Sequence, residues 1–395
     1  MVVKLDMMQT AALAAIIFYF GGYVKSKVPI LYKFCIPDPV VGGLIFAAAN
    51  LIFRETGLLT LEMDTTLQSP FMMIFFTSIG FTASIELIKR GGLQVIVFWL
   101  CAVVLCIIQC GIGVTLAKIL GQNPLLGLVT GSITMTGGHG TGAAFAPLLE
   151  DFGLNGAMTA AMAAATFGLV AGSLIGGPIG RFLIEKNHLE PHPEQYDLDF
   201  VNGNGDEILT YDSLMKNFAF LLAAIGIGAV LANFFKNHGI TLPAYVSSMI
   251  IAAIILNLGQ FTQKWTINQK AVETIGAIGL NMFLSLALIN LRLWELLDLA
   301  APMLIILVSQ TLIMAVYAIF VAYYLCGRDY DSAVITAGFC GFGMGATPNA
   351  MANMRSVVER FGEAPRAFFV VPIVGAFLID FANAIVITTF INYVV

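Results

Sequence analysis

The stretch GSITMTGGHGTG, residues 131–142, lies within a segment, Leu125–Leu149, that is apolar enough to enter a membrane. A second glycine-rich stretch, GFCGFGMGATPN at residues 338–349, lies within the similar segment Ser332–Met354. Each interior glycine costs a helix about 1 kcal/mol relative to alanine. Neither segment is therefore expected to be one continuous helix. We predict that each is a re-entrant hairpin, in which a half-helix leads through an extended turn into a second half-helix.

The two glycine-rich stretches match each other at a constant offset of 203 residues. This offset pairs Gly138 with Gly341, Gly140 with Gly343, Gly142 with Gly345, Ala143 with Ala346 and Gly172 with Gly375. A triplet of glycines at alternate positions is the most specific part of the match. The chain is therefore predicted to consist of two related halves.

Composition places both halves in a membrane. Of the 395 residues, 58% are hydrophobic and only 11% are charged, with a mean hydropathy of +0.89, whereas soluble domains are about a quarter charged. The net charge of -5 is small and no basic patch occurs, which argues against a nucleic-acid partner. The six cysteines form no CxxC pair, and we expect neither a disulfide framework nor a bound cofactor.

A membrane-spanning helix needs about 20 mainly apolar residues, and ten segments approach that length besides the two hairpins. They are Met7–Val24, Ile36–Phe53, Pro70–Leu87, Leu93–Ala117, Met158–Ile179, Phe218–Phe235, Leu242–Leu258, Ile275–Leu291, Ala301–Cys326 and Ala367–Val395. The predicted fold is thus an all-α polytopic membrane protein with ten transmembrane helices.

A polar stretch rich in proline, asparagine and glycine separates the fifth span from the sixth, as is typical of a solvated linker. We assign residues 1–185 to an N-terminal repeat, residues 186–213 to the linker and residues 214–395 to a C-terminal repeat. The hairpins lie near 125–149 and 332–354. Because each half has an odd number of spans, the second repeat is predicted to be inverted relative to the first.

Lysine and arginine placement predicts the orientation, since these residues are enriched in cytoplasmic loops. With the N-terminus outside, only five of the 19 lie outside, namely Lys4, Arg54, Lys118, Lys236 and Arg292. Both termini are therefore expected to be periplasmic and the linker cytoplasmic. The first hairpin then enters from outside and the second from inside.

Non-helical backbone at membrane depth persists only inside protein or beside a water-filled cavity. Two such breaks entering from opposite faces are expected to meet near the middle of the membrane, as in inverted-repeat transporters. Glycine allows backbone N–H groups to approach a carboxylate closely. The neighbouring polar residues could add hydroxyl and amide contacts: Ser132, Thr134, Thr136, Thr141, Thr347, Asn349 and Asn353. Helix packing is an equally ordinary role for such serines and threonines.

Three ionisable residues are also candidates for the site. His139 lies within the first glycine stretch and could donate to a carboxylate or relay a proton, or simply bond the hairpin backbone. Asp380 lies in the middle of an apolar segment with Asn383 three residues further on, and a carboxyl group at such depth indicates function. It could bind Na⁺, carry a proton or pair with a substrate ammonium, and a structural pairing with Arg355 or another buried donor is the competing interpretation. Arg355 ends the second hairpin and could clamp a carboxylate, although an ordinary cytoplasmic anchor is a competing interpretation.

The motifs GSITMTGGHGTGAAFAPL at 131–148, GFGMGATPNAMANM at 341–354 and VVPIVGAFLIDFANAIVI at 370–387 closely resemble the bacterial sodium/glutamate symporter family. The similarity extends to IPDPVVGG at 36–43 and NLRLWELLDLAAPML at 290–304, and covers nearly the whole chain apart from the linker.

This resemblance implies Na⁺-driven uptake of L-glutamate across the bacterial inner membrane by a homodimer. An elevator-type motion of a transport domain against a dimer scaffold is implied by the same analogy. Substrate contacts are then expected from Ser132, Thr134, Gly137, Gly138, His139, Gly140, Thr141, Gly142, Gly341, Gly343, Gly345, Thr347, Asn349 and Arg355. Oxygen atoms of Asp380, Asn383 and Asn353 are the candidate Na⁺ ligands.

Other functions remain open on the sequence alone. A carrier for another carboxylate, such as a hydroxy di- or tricarboxylate, would have the same architecture. Proton coupling in place of sodium would depend on His139 and Asp380, and a channel could also have inverted repeats. An enzyme is not expected, because the chain has none of the common hydrolase, zinc-protease or phosphate-loop motifs.

Overall fold

The computed structural model of the protein describes residues 2–34, 36–191, 209–237, 244–296 and 299–394. Within these ranges the chain is almost entirely helical, and it divides into two compact units. Unit 1 comprises Met1–Thr82, Ala143–Ala160 and Leu209–Ala300, and unit 2 comprises Ala83–Gly142, Ala161–Ile208 and Ala301–Val395. Each unit therefore draws on both halves of the sequence.

The helices of unit 1 are α1 to α4 and α9 to α11. Their bounds are Met7–Lys27 (α1), Pro29–Lys33 (α2), Asp38–Glu55 (α3), Gln68–Gly80 (α4), Tyr211–Asn237 (α9), Ala244–Thr262 (α10) and Gln269–Ile289 (α11). Helices α1 and α3 approach closely because both have glycine at the crossing. A β-carbon on Gly21 would lie 2.0 Å from the Asp38 carbonyl oxygen, and one on Gly42 would lie 2.1 Å from that of Ile17. Small residues of this kind allow membrane helices to pack backbone to backbone.

Two short strands also belong to unit 1. Strand β1, Val2–Leu5, pairs in parallel with β2, Thr60–Met63. The all-α prediction missed this pair, because each strand has only four residues and lies in a short stretch outside the long apolar segments that dominate the hydropathy.

Unit 2 contains the remaining helices, with α7 and α8 continuing from one unit into the other. The bounds are Ile85–Ile119 (α5), Pro124–Leu128 (α6), Gly138–Asp151 (α7), Ala157–Asn187 (α8), Ala300–Tyr317 (α12), Tyr323–Leu325 (α13), Tyr330–Phe342 (α14), Thr347–Phe361 (α15), Pro365–Ile373 (α16) and Ile379–Val394 (α17). Short π-helical segments at Val129–Ile133, Ala318–Ala322 and Val374–Leu378 join some of them. Helix α5 is bent at Gly92, where φ is 64°.

Seven helices in the described part of the chain are long and apolar enough to cross a membrane. They are Met7–Lys27, Gly92–Ile119, Ala157–Asn187, Tyr211–Phe235, Ala244–Thr262, Gln269–Ile289 and Ala300–Leu325. Large apolar side chains on these helices, such as Ile227, Val230 and Phe320, are more than half exposed. Exposed apolar side chains on long apolar helices are expected of a protein surrounded by lipid.

The other three predicted spans fall on shorter or interrupted helices. The prediction of Pro70–Leu87 is too long, because α4 ends at Gly80. There the Phe81 carbonyl accepts a hydrogen bond from Gln269 Nε2 at 3.1 Å. The segment Ala367–Val395 is divided by the π-helical residues 374–378. Segment Ile36–Phe53 corresponds to α3, and the predicted linker, 186–213, lies largely outside the described residues.

Candidate functional site

The first glycine-rich stretch interrupts a helix inside unit 2. Helix α6 passes into the π-helical residues Val129–Ile133, where Gly131 leaves helical geometry with ψ of -140°. A turn at 134–137 follows, and α7 begins at Gly138. Gly138 has φ of +63°, a conformation that only glycine adopts readily. The sequence therefore breaks the helix at this position.

The second glycine-rich stretch forms a helical hairpin. Helices α14 and α15 run antiparallel, because Gly341 faces Ala350 near the turn and Gly338 faces Met354 further along. A β-carbon on Gly341 would lie 2.4 Å from the Ala350 nitrogen, so the two backbones are in direct contact. At the open end, the Tyr330 hydroxyl donates to the Gly362 carbonyl. The predicted half-helix, turn, half-helix pattern is thus present.

The two turns contact each other within unit 2. The Thr136 hydroxyl of the first turn lies 3.4 Å from the Gly343 carbonyl oxygen of the second. A β-carbon on Gly138 would lie 2.9 Å from the Gly345 carbonyl oxygen. Glycine at position 138 therefore satisfies two requirements, the left-handed backbone and the close approach of the opposite turn.

Each turn leads into the N-terminus of a helix with unpaired backbone N–H groups. Among the described residues, no carbonyl accepts from the N–H groups of His139 and Gly140 in α7 or of Thr347 in α15. Gly140 and Thr347 are also partly accessible. Helix N-termini favour negative charge, because their N–H groups point outward and the helix dipole adds positive potential. The two starts together form a chemically suitable site for carboxylate groups.

Most of the predicted hydroxyl groups donate to the protein itself in this structure. Thr134 Oγ1 donates to the Val129 carbonyl at 2.6 Å, and Thr347 Oγ1 donates to the Gly375 carbonyl at 2.7 Å. Ser132 Oγ lies 3.0 Å from Cys110 Sγ. The Thr141 side chain is only 6% exposed and packs beside Gly137. These groups hold the turns in shape, and their contact with a solute stays a prediction.

His139 lies in the first turn of α7 and is 5% exposed. Its Nε2 is 3.0 Å from the Thr166 hydroxyl on α8, and that hydroxyl also donates to the Met162 carbonyl at 2.8 Å. Because the Thr166 proton is used in that bond, the geometry favours His139 Nε2–H as the donor to Thr166. The imidazole is thus anchored by α8 beside the open helix start.

Two asparagines of α15 fix the second hairpin to α8. Asn349 Nδ2 donates to the Leu169 carbonyl at 2.8 Å, and Asn353 Nδ2 donates to the Gly172 carbonyl at 3.0 Å. Both side chains are almost fully buried, at 0% and 4% exposure. Asn349 Oδ1 has no hydrogen-bond partner within the described part of the chain. It remains available to a donor or a cation.

Asp380 and Asn383 lie at the start of α17, directly after the π-helical segment. Asn383 Nδ2 donates to the Ser132 carbonyl at 3.0 Å, whereas its Oδ1 is buried and has no partner among the described residues. Asp380 is partly accessible and forms no hydrogen bond or ion pair in the same part of the chain. Asn383 therefore presents an unused oxygen atom beside the first turn, and Asp380 lies three residues before it on the same helix.

Arg355 is not brought to the turns. It is exposed on α15, eight residues after the helix begins at Thr347, or about 12 Å along the axis at 1.5 Å per residue. Its predicted role as a carboxylate clamp has no support from this position.

Sequence reasoning missed Gln109, Gln310 and Thr166. Gln109 and Gln310 are fully buried in apolar helices, and Gln109 is hydrogen-bonded to both turns. The available signal was an amide deep inside each long apolar segment, since such a group is costly to bury without partners.

Long apolar helices, together with two glycine turns that meet inside one unit, define a polytopic membrane transport protein with interrupted helices. Residues 3–363 match the family model described as sodium/glutamate symporter. The chain belongs to this family. The family is one of symporters rather than enzymes.

Curated relatives agree along nearly the full length. The sodium/glutamate symporter of Escherichia coli (strain K12) is 40% identical over 391 residues, which are 98% of each chain. That of Haemophilus influenzae is 40% identical over 382 residues, or 95% of each chain. Among solved structures, the sodium proton antiporter MjNhaP1 from Methanocaldococcus jannaschii matches with 13% identity and a TM-score of 0.45, covering 99% of this chain and 98% of that one.

Proposed function

We propose that this protein is a secondary active transporter that takes up L-glutamate together with Na⁺ across the bacterial inner membrane. Membership of the sodium/glutamate symporter family supports the coupling of glutamate uptake to Na⁺. The structural observation behind the proposal is the meeting of two turns in unit 2, each leading into a helix start with unpaired N–H groups. L-Glutamate has two carboxylates, so two anion-binding helix starts suit it.

The substrate site in this proposal lies along residues 137–142 and 341–345. The open N–H groups of His139, Gly140 and Thr347 would bind carboxylate oxygens. The Asn349 amide oxygen, buried and without a partner among the described residues, is available for the substrate ammonium. The hydroxyls of Thr141 and Thr347 could reorient toward a bound solute.

The proposed Na⁺ site uses Asp380 and Asn383, with Asn353 as a third candidate. Na⁺ is a hard cation and prefers oxygen ligands. Asn383 Oδ1 is buried with no partner in the described chain, and its amide nitrogen is fixed on Ser132. The oxygen is therefore held in place before an ion arrives. Asp380 would supply the compensating negative charge.

The proposed topology has ten spans in two inverted repeats, 1–185 and 214–395, with a cytoplasmic linker and periplasmic termini. Each compact unit contains a corresponding part of both halves, with 1–82 and 209–300 in unit 1 and 83–142 and 301–395 in unit 2. This division is expected when the two halves of a chain have the same architecture, because corresponding parts of the halves then pack together. The hairpins near 125–149 and 332–354 would be the re-entrant elements.

An elevator-type motion and a homodimer complete the proposal. Unit 2 contains both turns and would be the transport domain, and unit 1 would supply the dimer scaffold. The close glycine-mediated packing of α1 and α3 suits a rigid role for unit 1.

Uptake of radiolabelled L-glutamate into proteoliposomes tests the function. An inward Na⁺ gradient should drive accumulation above the external concentration, and a Na⁺ ionophore or replacement of Na⁺ by K⁺ should abolish it. Protein-free liposomes are the control. Accumulation driven by a pH gradient without Na⁺ would contradict sodium coupling, and currents far above transporter turnover would indicate a channel.

A carrier for another carboxylate is the second candidate, because backbone N–H groups recognise any carboxylate. Competition of unlabelled hydroxy di- and tricarboxylates with labelled glutamate separates the two functions. Stronger inhibition by such a compound than by unlabelled glutamate would favour the second candidate.

A further inference from the structure

Gln109 is a fully buried amide in the apolar helix α5. Its Nε2 donates to the Gly343 carbonyl at 2.8 Å, in the second turn. Its Oε1 accepts from the Thr136 hydroxyl at 2.8 Å, in the first turn. One side chain therefore holds both turns simultaneously.

The main chain of Gln109 is fixed as well. Gln310 Nε2 on α12 donates to the Gln109 carbonyl at 2.8 Å. A side chain of α12 is thus hydrogen-bonded to the backbone of the same residue whose side-chain amide contacts the two turns. We name Gln109 and its three partners, Thr136, Gly343 and Gln310, the amide clasp.

The partners of the Gln109 side chain determine which way its amide nitrogen and oxygen point. The Gly343 carbonyl can only accept, so the amide nitrogen must face it, and the amide oxygen must then face Thr136. Both polar ends of the side chain are satisfied, which a buried amide in apolar surroundings requires. Removing the amide would take away the donor that lies 2.8 Å from the Gly343 carbonyl, and of the hydrogen bonds in this cluster only the longer one, 3.4 Å from the Thr136 hydroxyl to that carbonyl, would still join the two turns.

We propose that Gln109 is a positioning residue that holds the two glycine turns as one body. It thereby fixes the distance between the helix starts of α7 and α15. Its consequence for substrate affinity rests on the proposed function, since two carboxylates of one solute must reach both starts. The joining of the turns itself does not depend on any substrate.

Helix α5 offers a matched control in Gln94. Its Nε2 donates to the Cys326 carbonyl at 2.8 Å, so it also makes a glutamine-to-backbone bond within unit 2. Among the described residues it makes no hydrogen bond to either turn. Gln94→Leu therefore reports the general cost of losing such a bond. Thr136→Val changes the shape little and removes both hydrogen bonds of this hydroxyl, to Gln109 and to Gly343, but it keeps the bond from Gln109 to Gly343.

Hydrogen–deuterium exchange of the ligand-free protein in detergent tests the joining of the turns. Gln109→Leu should raise exchange about tenfold in peptides covering both 131–142 and 338–349, since each turn loses a bond. Thr136→Val should raise exchange mainly in the first peptide, because Gly343 keeps its shorter bond from Gln109, and Gln94→Leu should raise it in neither. If Gln109→Leu loosens the turns no more than Gln94→Leu, the clasp is refuted. Should Gln109→Leu not fold, Thr136→Val still decides whether the clasp holds the first turn.

Uptake kinetics test the positioning role. Gln109→Leu should raise the KM for glutamate about tenfold, and Gln94→Leu should leave KM unchanged. A lower maximal rate with an unchanged KM would refute the positioning role of Gln109. Its hydrogen bonds would then contribute to the structure alone. A wild-type protein that takes up no glutamate would refute the proposed function but not the exchange result.

Discussion

Asn383 donates from Nδ2 to the backbone carbonyl of Ser132 at 3.0 Å, which connects α17 to the residue that enters the first glycine turn. The bond orients the amide, and Oδ1 is left buried without a partner among the described residues. A polar atom that is buried and unsatisfied costs about 1–3 kcal/mol. A bound cation would remove this cost.

Replacing Asn383 by leucine should therefore weaken Na⁺ binding. We expect the Na⁺ concentration for half-maximal uptake to rise about tenfold, because an oxygen bound to a charged partner contributes roughly 1.5–3 kcal/mol. Uptake of labelled glutamate measured against Na⁺ concentration checks this.

Asn392 provides the matched control on the same helix. Its Nδ2 donates to the Thr388 carbonyl at 2.8 Å, so Asn392→Leu also removes an asparagine from α17. Its Na⁺ dependence should equal that of the wild type. Equal shifts in the two variants would assign the effect to helix packing rather than to a Na⁺ ligand.

Asp380→Asn should raise the Na⁺ concentration that half-maximal uptake requires. The substitution keeps the shape of the side chain but removes the negative charge that the proposed site needs to compensate a cation. Asp151→Asn, at the exposed end of α7, is the control and should behave as wild type. Unchanged Na⁺ affinity in Asp380→Asn would remove the carboxylate from the site.

The glycine turns could be predicted from sequence because their determinant is local. Gly138 and Gly341 lie in segments that are too apolar for a loop and too rich in glycine for a continuous helix. The helix–turn–helix pattern follows from that conflict alone, and the contact between the turns agrees with the expectation that they meet.

The amide clasp could not be predicted in the same way. Gln109 is a single polar residue among apolar neighbours, and its partners are 27 and 234 residues distant in sequence. Composition does not indicate which buried amide finds a partner. Conversely, Thr134 and Thr347 were predicted to contact substrate from their type, and the structure has their hydroxyls bound to backbone carbonyls. Local pattern predicts the backbone breaks, whereas tertiary packing decides the hydrogen-bond partners.

Gly138→Ala should destabilise the protein and reduce uptake. Position 138 has φ of +63°, and a new β-carbon would lie 2.9 Å from the Gly345 carbonyl oxygen. The backbone strain alone costs about 1–2 kcal/mol, and the opposite turn must also move. Thermal unfolding in detergent and glutamate uptake both report the change.

Gly121→Ala separates strain from contact. Gly121 has φ of +67°, but nothing lies within 4 Å of its added β-carbon. This variant should lower the thermal stability through backbone strain alone and should leave glutamate uptake unchanged. Loss of uptake equal to that of Gly138→Ala would mean that the approach of the two turns is not the sensitive feature.

Asp329→Asn should lower the melting temperature at neutral pH. Burial raises the pKa of the Asp329 carboxyl, but hydrogen bonds from Arg366 and Ser332 outweigh it and hold that pKa below its ordinary value. The ion pair therefore stabilises the folded protein above the unfolded pKa of about 3.9 and is lost as pH falls through the lower folded pKa. The difference in melting temperature between wild type and Asp329→Asn should thus become smaller at acidic pH. Glu62→Gln removes the exposed pair with Lys4 and should change little at any pH. An Asp329→Asn deficit that is constant from neutral pH into acid would show that its cause is packing rather than charge.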